Sequence, residues 1–191
     1  HLSIRRQRQM CIRDRLVPDG KGGTEPRYTC NVYIGKQTDA YKLLKDLTTN
    51  FVAMLYFLDG KVTPVQDVPA SPSYTFNATN VINGEFNYES TGDKTQTNQI
   101  VVTWNNPENM YATEPLILED RRNIAETGRI ISRSAFAFGC TSEGQATRYG
   151  RWKLWTSINQ KEIVSFQTGM TAAFLSPGDL VNIQDCLLYT S

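Results

Sequence analysis

The chain has 191 residues, of which 40% are hydrophobic and 20% charged, an ordinary globular composition that excludes disordered, collagenous and coiled-coil classes. Its longest purely apolar run, Phe51–Leu58, is far shorter than the roughly 20 residues a membrane-crossing helix requires. The formal net charge is +1, and the single histidine is His1, which removes His-based triads and His-rich metal sites from the candidate chemistry.

The two ends read differently from the middle. Met10–Asp14 is the translation of ATGTGTATAAGAGAC, and the strand complementary to AGATGTGTATAAGAGACAG reads Cys-Leu-Leu-Tyr-Thr-Ser in one frame, which is Cys186–Ser191. Residues 1–15 and 186–191 are therefore expected to be adapter-derived and are set aside. The body, 16–185, then carries 15 basic and 18 acidic side chains, a net of about −3. The basic N-terminal arm thus gives no support for nucleic-acid binding. Cys30 and Cys140 remain, and two cysteines so far apart read as reduced core residues of an intracellularly assembled protein.

Residues 16–27 hold Pro18, Gly20, Gly22, Gly23 and Pro26 and read as a loop or linker. Tyr28–Ile34 alternates with the period of a half-buried strand. Thr38 and Asp39 provide an N-cap, and Ala40, Leu43, Leu44, Leu47 and Phe51 form one apolar stripe, predicting an amphipathic helix that packs on a sheet. Phe51–Leu58, Asp59-Gly60 and Lys61–Gln66 predict a hairpin. The Pro-, Ser- and Asn-rich stretch Val68–Gly84 is expected to be an ordered connection. Gly84–Glu89, Gln99–Trp104 and Pro115–Glu119, separated by Ser90–Asp93 and Asn105–Asn109, predict an antiparallel meander. Ile124–Gly128 reads as a short helical turn and Arg129–Phe138 as a strand. Ser142 with Gln145 has the spacing of a capping box and opens a second amphipathic helix to about Ser157. On it Ala146, Tyr149, Gly150 and Leu154 share a side, with Gly150 expected where another backbone comes close. Glu162–Gln167, Ala172–Leu175 and Leu180–Ile183 complete the strands, the last two joined by a Ser176–Asp179 turn. Runs of strands interrupted by two helices, without a βαβ rhythm, predict an α+β fold with a mostly antiparallel sheet or small barrel.

Few residue patterns suggest chemistry. Glu119-Asp120 beside Arg121-Arg122 is either a solvated turn or a carboxylate pair of a glycosidase, and neighbours on a strand point to opposite faces, which favours the turn. Asp179 reads as a turn residue. Gly20-Lys21-Gly22-Gly23 lacks the strand and the GKS/T ending of a phosphate loop. Asn77-Ala78-Thr79 fits a glycosylation sequon, a triplet common by chance. No metal-ligand spacing is present. Trp104, Trp152 and Trp155 read as core and interface residues, with a carbohydrate-binding adhesin as the alternative. No catalytic, cofactor-binding or metal-binding residue is assigned.

Several colinear segments carry a resemblance: Ala40-Tyr41 with Leu44 and Leu47; Tyr56 with Asp59-Gly60-Lys61; Phe76, Thr79-Asn80-Val81, Gly84, Phe86 and Tyr88; Val102, Trp104-Asn105, Pro107, Asn109 and Tyr111; Phe138-Gly139-Cys140-Thr141-Ser142 with Gly144-Gln145-Ala146; Gly150-Arg151-Trp152; and Leu175 with Pro177-Gly178-Asp179. Over about 28–185 the chain resembles the central region of the tail tip attachment (host specificity) proteins of lambda-like siphophages. The resemblance implies a structural virion protein with β-rich baseplate-hub-like segments, here 28–115 and 116–185. Three such subunits would close a ring at the end of the tail tube, leaving a channel for the tape-measure protein and for DNA that passes without specific binding. It also implies contacts with the distal tail and tube proteins, assembly in the bacterial host cytoplasm, and a host receptor bound through regions outside this sequence. No cofactor and no enzymatic activity are expected.

Overall fold

The computed structural model describes residues 15–58, 60–90, 97–160 and 162–185. Both adapter-like ends except Arg15, Asp59 of the expected turn, and Thr91–Asp93 of the expected separator lie outside the described residues.

The main core is one helix laid on one sheet. Strand β7 (Gln99–Asn106) alternates strictly, so Ile100, Val102 and Trp104 are buried while their neighbours face the other way. It pairs antiparallel with β8 (Ala112–Glu119) and parallel with β9 (Ser132–Phe136), giving the order β8-β7-β9. Helix α3 (Glu143–Asn159) covers that sheet with Ala146, Tyr149, Gly150 and Leu154, the face the sequence predicts. Gly150 is required by side chains rather than by a backbone: a Cβ there would overlap Leu118 and come within 2.6 Å of Val102 Cγ2. Ala137 and Cys140 close the cluster.

Ser142 caps α3 as expected, its Oγ accepting from Gln145 N at 3.2 Å. The reciprocal half of the box does not form. The Gln145 side chain accepts from Thr29 N (3.0 Å) and Thr29 Oγ1 (2.7 Å), and donates to Thr29 O (2.9 Å) and Asn50 Oδ1 (3.4 Å). One buried amide thereby ties three separate segments together.

Around this core stand, among the described residues, four two-stranded ribbons. Residues 16–27, expected as a linker, instead contain the hairpin β1 (Leu16–Pro18) and β2 (Thr24–Pro26), turned by Asp19, whose carboxylate accepts from Lys21 N and Gly23 N. It is fastened to α3 by the Glu25–Arg148 ion pair (2.7 Å) and by Ser142 Oγ donating to Glu25. Helix α1 (Ala40–Thr48), capped by Asp39 as predicted, packs on β3 (Ala53–Leu58), which pairs with β4 (Lys61–Gln66). Strand β5 (Tyr74–Asn77) makes the Val68–Gly84 connection an ordered one and pairs parallel with β11 (Val181–Gln184). Strand β6 (Asn87–Ser90) pairs antiparallel with β10 (Glu162–Ser165), not with β7, so the expected three-strand meander is reduced to the β7–β8 pair. Tyr74, Phe76, Phe86, Phe166 and Phe174 meet between the last two ribbons, edge-on except for the tilted Phe76–Phe166 pair, with ring centroids 4.7–5.6 Å apart. Helix α2 (Arg121–Thr127) follows β8 and is capped by Asp120.

The result is the predicted α+β, β-rich class, with four antiparallel and two parallel strand pairings among the described residues. Two expected strands are absent. Tyr28–Ile34 has no ladder: Asn31 N donates to Gly139 O, and Thr29 is satisfied by the Gln145 side chain. In place of the strand Ala172–Leu175, residues Met170–Ala172 form a 3₁₀ turn whose local bonds continue to Leu175, swinging Phe174 onto Tyr74.

Candidate assembly surface

Three cavities are notable among the described residues. One, about 100 Å³, lies between α3 and Asn50, lined by Arg27, Asp67, Arg148 and Trp152 among others. A second, about 490 Å³, is rimmed by Asp19, Glu25, Glu108, Glu114 and Glu143 with Lys21, which pairs with Glu143 at 3.0 Å. The third, about 570 Å³, is a groove in which Val32, Tyr33, Ile34, Leu43 and Phe138 lie beside the charged Lys36, Asp39, Lys42 and Asp46. Among the described residues no group of three or more His, Cys, Asp or Glu is placed to hold a metal ion, and no helix is long and apolar enough to cross a membrane.

The residues singled out from sequence are not brought together. Glu119 accepts from Gln99 Nε2 at 2.7 Å, and Asp120 accepts from Arg122 N and Asn123 N, so the pair ends a strand and starts a helix as a solvated turn does. Neither residue lines any of the three cavities. The tryptophans separate: Trp104 is in the core, Trp152 stacks on Tyr149 and donates to Asp67 Oδ2 at 2.9 Å, and only Trp155 stands out, 61% exposed. The aromatic platform of an adhesin is therefore not assembled from them. Asp179 holds the 176–179 turn by accepting from Ser176 N. Asn77 accepts from Thr79 N and Oγ1 within an Asx turn. Cys140 is buried, which raises its thiol pKa, but Cys30 is exposed rather than a core residue; the cover it does have still raises its pKa.

What the surface does display is apolar side chain and open strand edge. On the outward face of β8-β7-β9, Ile117 lies beside Val101 and Phe136 beside Thr103, with Ile117 and Phe136 exposed. The β7–β8 loop holds Met110 and Tyr111 in consecutive left-handed conformations, at φ 49° and 59°, which ordinary L residues avoid at a cost of about 1–3 kcal/mol each. An asparagine network fixes that loop: Asn105 Nδ2 donates to Tyr111 O, while Asn106 and Asn109 donate to Glu114. Met110 projects almost fully into solvent. On the β3–β4 ribbon Met54, Phe57, Leu58 and Val62 are exposed, Phe57 to 69%. Met110 and Phe57 were not singled out from sequence, and Tyr111 only as one residue of the family resemblance, although the flanking Asn105–Asn109 run signals a built loop.

Edges sharpen this. Proline is tolerated in a strand only where its missing N–H faces away from the ladder. Pro115 sits on β8 and Pro64 on β4, so both of those outer edges lack a donor. Strand β3, Ala-Met-Leu-Tyr-Phe-Leu, carries neither proline nor charge.

Residues 39–187 match the family model described as a putative phage tail protein. The chain is 39% identical over 172 residues to the tip attachment protein J of Escherichia phage SECphi27, covering 90% of this chain and 14% of that protein. To the tip attachment protein J of Escherichia phage SECphi4 it is 37% identical over 173 residues, covering 90% of this chain and 15% of that one.

Proposed function

We propose, from the premise that this chain belongs to the phage tail protein family that includes tip attachment proteins J, that it forms part of the collar joining the tail tube to the host-attachment apparatus. The colinear identity across 90% of the chain to proteins named for tip attachment carries this reading. The chain spans only about one seventh of their length, so host contact belongs in the proposal to regions outside this sequence. Copies of the subunit, three in the proposal, close a ring around a channel by heterologous contacts. Open ribbons, exposed apolar residues and a net charge of about −3 in the body support this, because a mildly acidic wall lets DNA pass without adhering. No cofactor and no chemical step enter the proposal. The subunit assembles in the host cytoplasm with the distal tail, tube and tape-measure proteins.

Gold-labelled antibody raised against the chain tests the reading on phage particles carrying the intact gene. Label at the distal tail tip is expected. Label absent from particles, or confined to the head, overturns it.

A further inference from the structure

We infer that residues 16–31 form a strap that unlatches from the body as one unit, with the Glu25 carboxylate as its pin, uncovering the start of α3 while the core stays folded. The pin holds two points on that helix. Glu25 pairs with Arg148 at 2.7 Å and accepts from Ser142 Oγ, the N-cap of α3. Arg148 in turn donates to Pro18 O (3.3 Å) and Arg27 O (3.2 Å), strap backbone on either side of the pin. Further along, Gln145 binds Thr29, Asn31 N donates to Gly139 O at 2.8 Å, and Asn31 Nδ2 donates to Thr141 Oγ1 at 2.8 Å. Lys21 adds an exposed pair with Glu143.

Apolar attachment is slight by comparison. Within 16–31, among the described residues, Val17 alone is buried, whereas the core beneath buries Val102, Trp104, Ala146 and Leu154. Hydrogen bonds made here replace bonds to water and leave a small net gain, and a partly exposed ion pair weakens as salt rises. Segments with few buried apolar contacts open before the core does. The strap is nonetheless seated flush. A Cβ on Gly144, in the first turn of α3, would overlap the Glu25 carboxylate and lie 2.6 Å from Asp19 O. Release also changes the surface beyond the hairpin. The strap supplies Arg27 and Tyr28 to the wall of the 100 Å³ cavity, and Asp19, Lys21 and Glu25 to that of the 490 Å³ cavity. Both cavities therefore change together when the pin is drawn.

Hydrogen exchange followed by NMR on the 191-residue chain tests this. The amides of Thr29 and Asn31, whose acceptors belong to the body, report strap release; those of Asn98 and Ala137, bonded to Ile131 O and Thr103 O, report the core. Where exchange follows the opening equilibrium, the strap pair should be about a hundredfold less protected than the core pair. Glu25→Gln should speed the strap pair about tenfold and leave the core pair unchanged. Sodium chloride at about 1 M should speed the strap pair in the parent and add nothing in Glu25→Gln. Gly144→Ala favours the helix while wedging the strap away, so it should match Glu25→Gln without weakening α3. Lys21→Ala, which cuts only the exposed pair, should leave both sets unchanged. Strap and core amides that exchange at one rate overturn the inference. So do accelerations shared equally by the core pair, or a Gly144→Ala chain in which Thr29 and Asn31 stay as protected as in the parent.

Discussion

The α3-on-sheet core and the β3–β4 ribbon are each built on an apolar strand and have opposite fates. Strand β7 puts Ile100, Val102 and Trp104 on one face, and α3 covers them; β3 offers Met54, Phe57 and Leu58, and α1 covers only part of one side. The core is covered by the chain itself, and a buried asparagine at the end of its central strand is hydrogen-bonded. Asn98, fully buried, donates to Asn123 Oδ1 and Arg129 O and accepts from Ile131 N. The ribbon has no such closure. An isolated two-stranded ribbon is marginal in water, and among the described residues α1 is the helix that supports this one.

Substitution should separate the two regions by size of effect. Trp104→Ala should be the most damaging, lowering unfolding free energy by about 3–5 kcal/mol in urea titration, because the core cannot collapse into so large a void. A loss below about 1 kcal/mol would mean that this core is no tighter than the ribbon. Asn98→Ala should cost about 1–3 kcal/mol by stranding Ile131 N and Arg129 O, measured in the same titration. Phe57→Ser should stay within about 0.5 kcal/mol of the parent, as exposed positions do. A cost of several kcal/mol would show that the ribbon is packed after all. Thiol labelling followed by peptide mass mapping should modify Cys30 in the folded chain and Cys140 only after unfolding, resolved by mass from Cys11 and Cys186. Equal rates would contradict the burial of Cys140.

Local signals in the sequence were sufficient for α1, α3, the β3–β4 pair and the core face of α3. Each depends on a period or a cap acting over a few residues: Asp39 and Ser142 cap in place, and Ala146, Tyr149, Gly150 and Leu154 are buried as one side. The family, too, was legible, through residues strung in order rather than through any site. Pairing was not. A strand's partner is set by contacts far apart in sequence, so β5 with β11 and β6 with β10 went unread, and an alternating stretch such as 28–34 looked like a strand although no partner stood beside it. The same holds for Gln145, whose spacing promised a local cap while a Thr29 backbone 116 residues away drew its amide. Periodicity told which faces are apolar; only the tertiary structure decided which faces the subunit covers for itself, because burial requires a second surface and the sequence of one segment does not specify it.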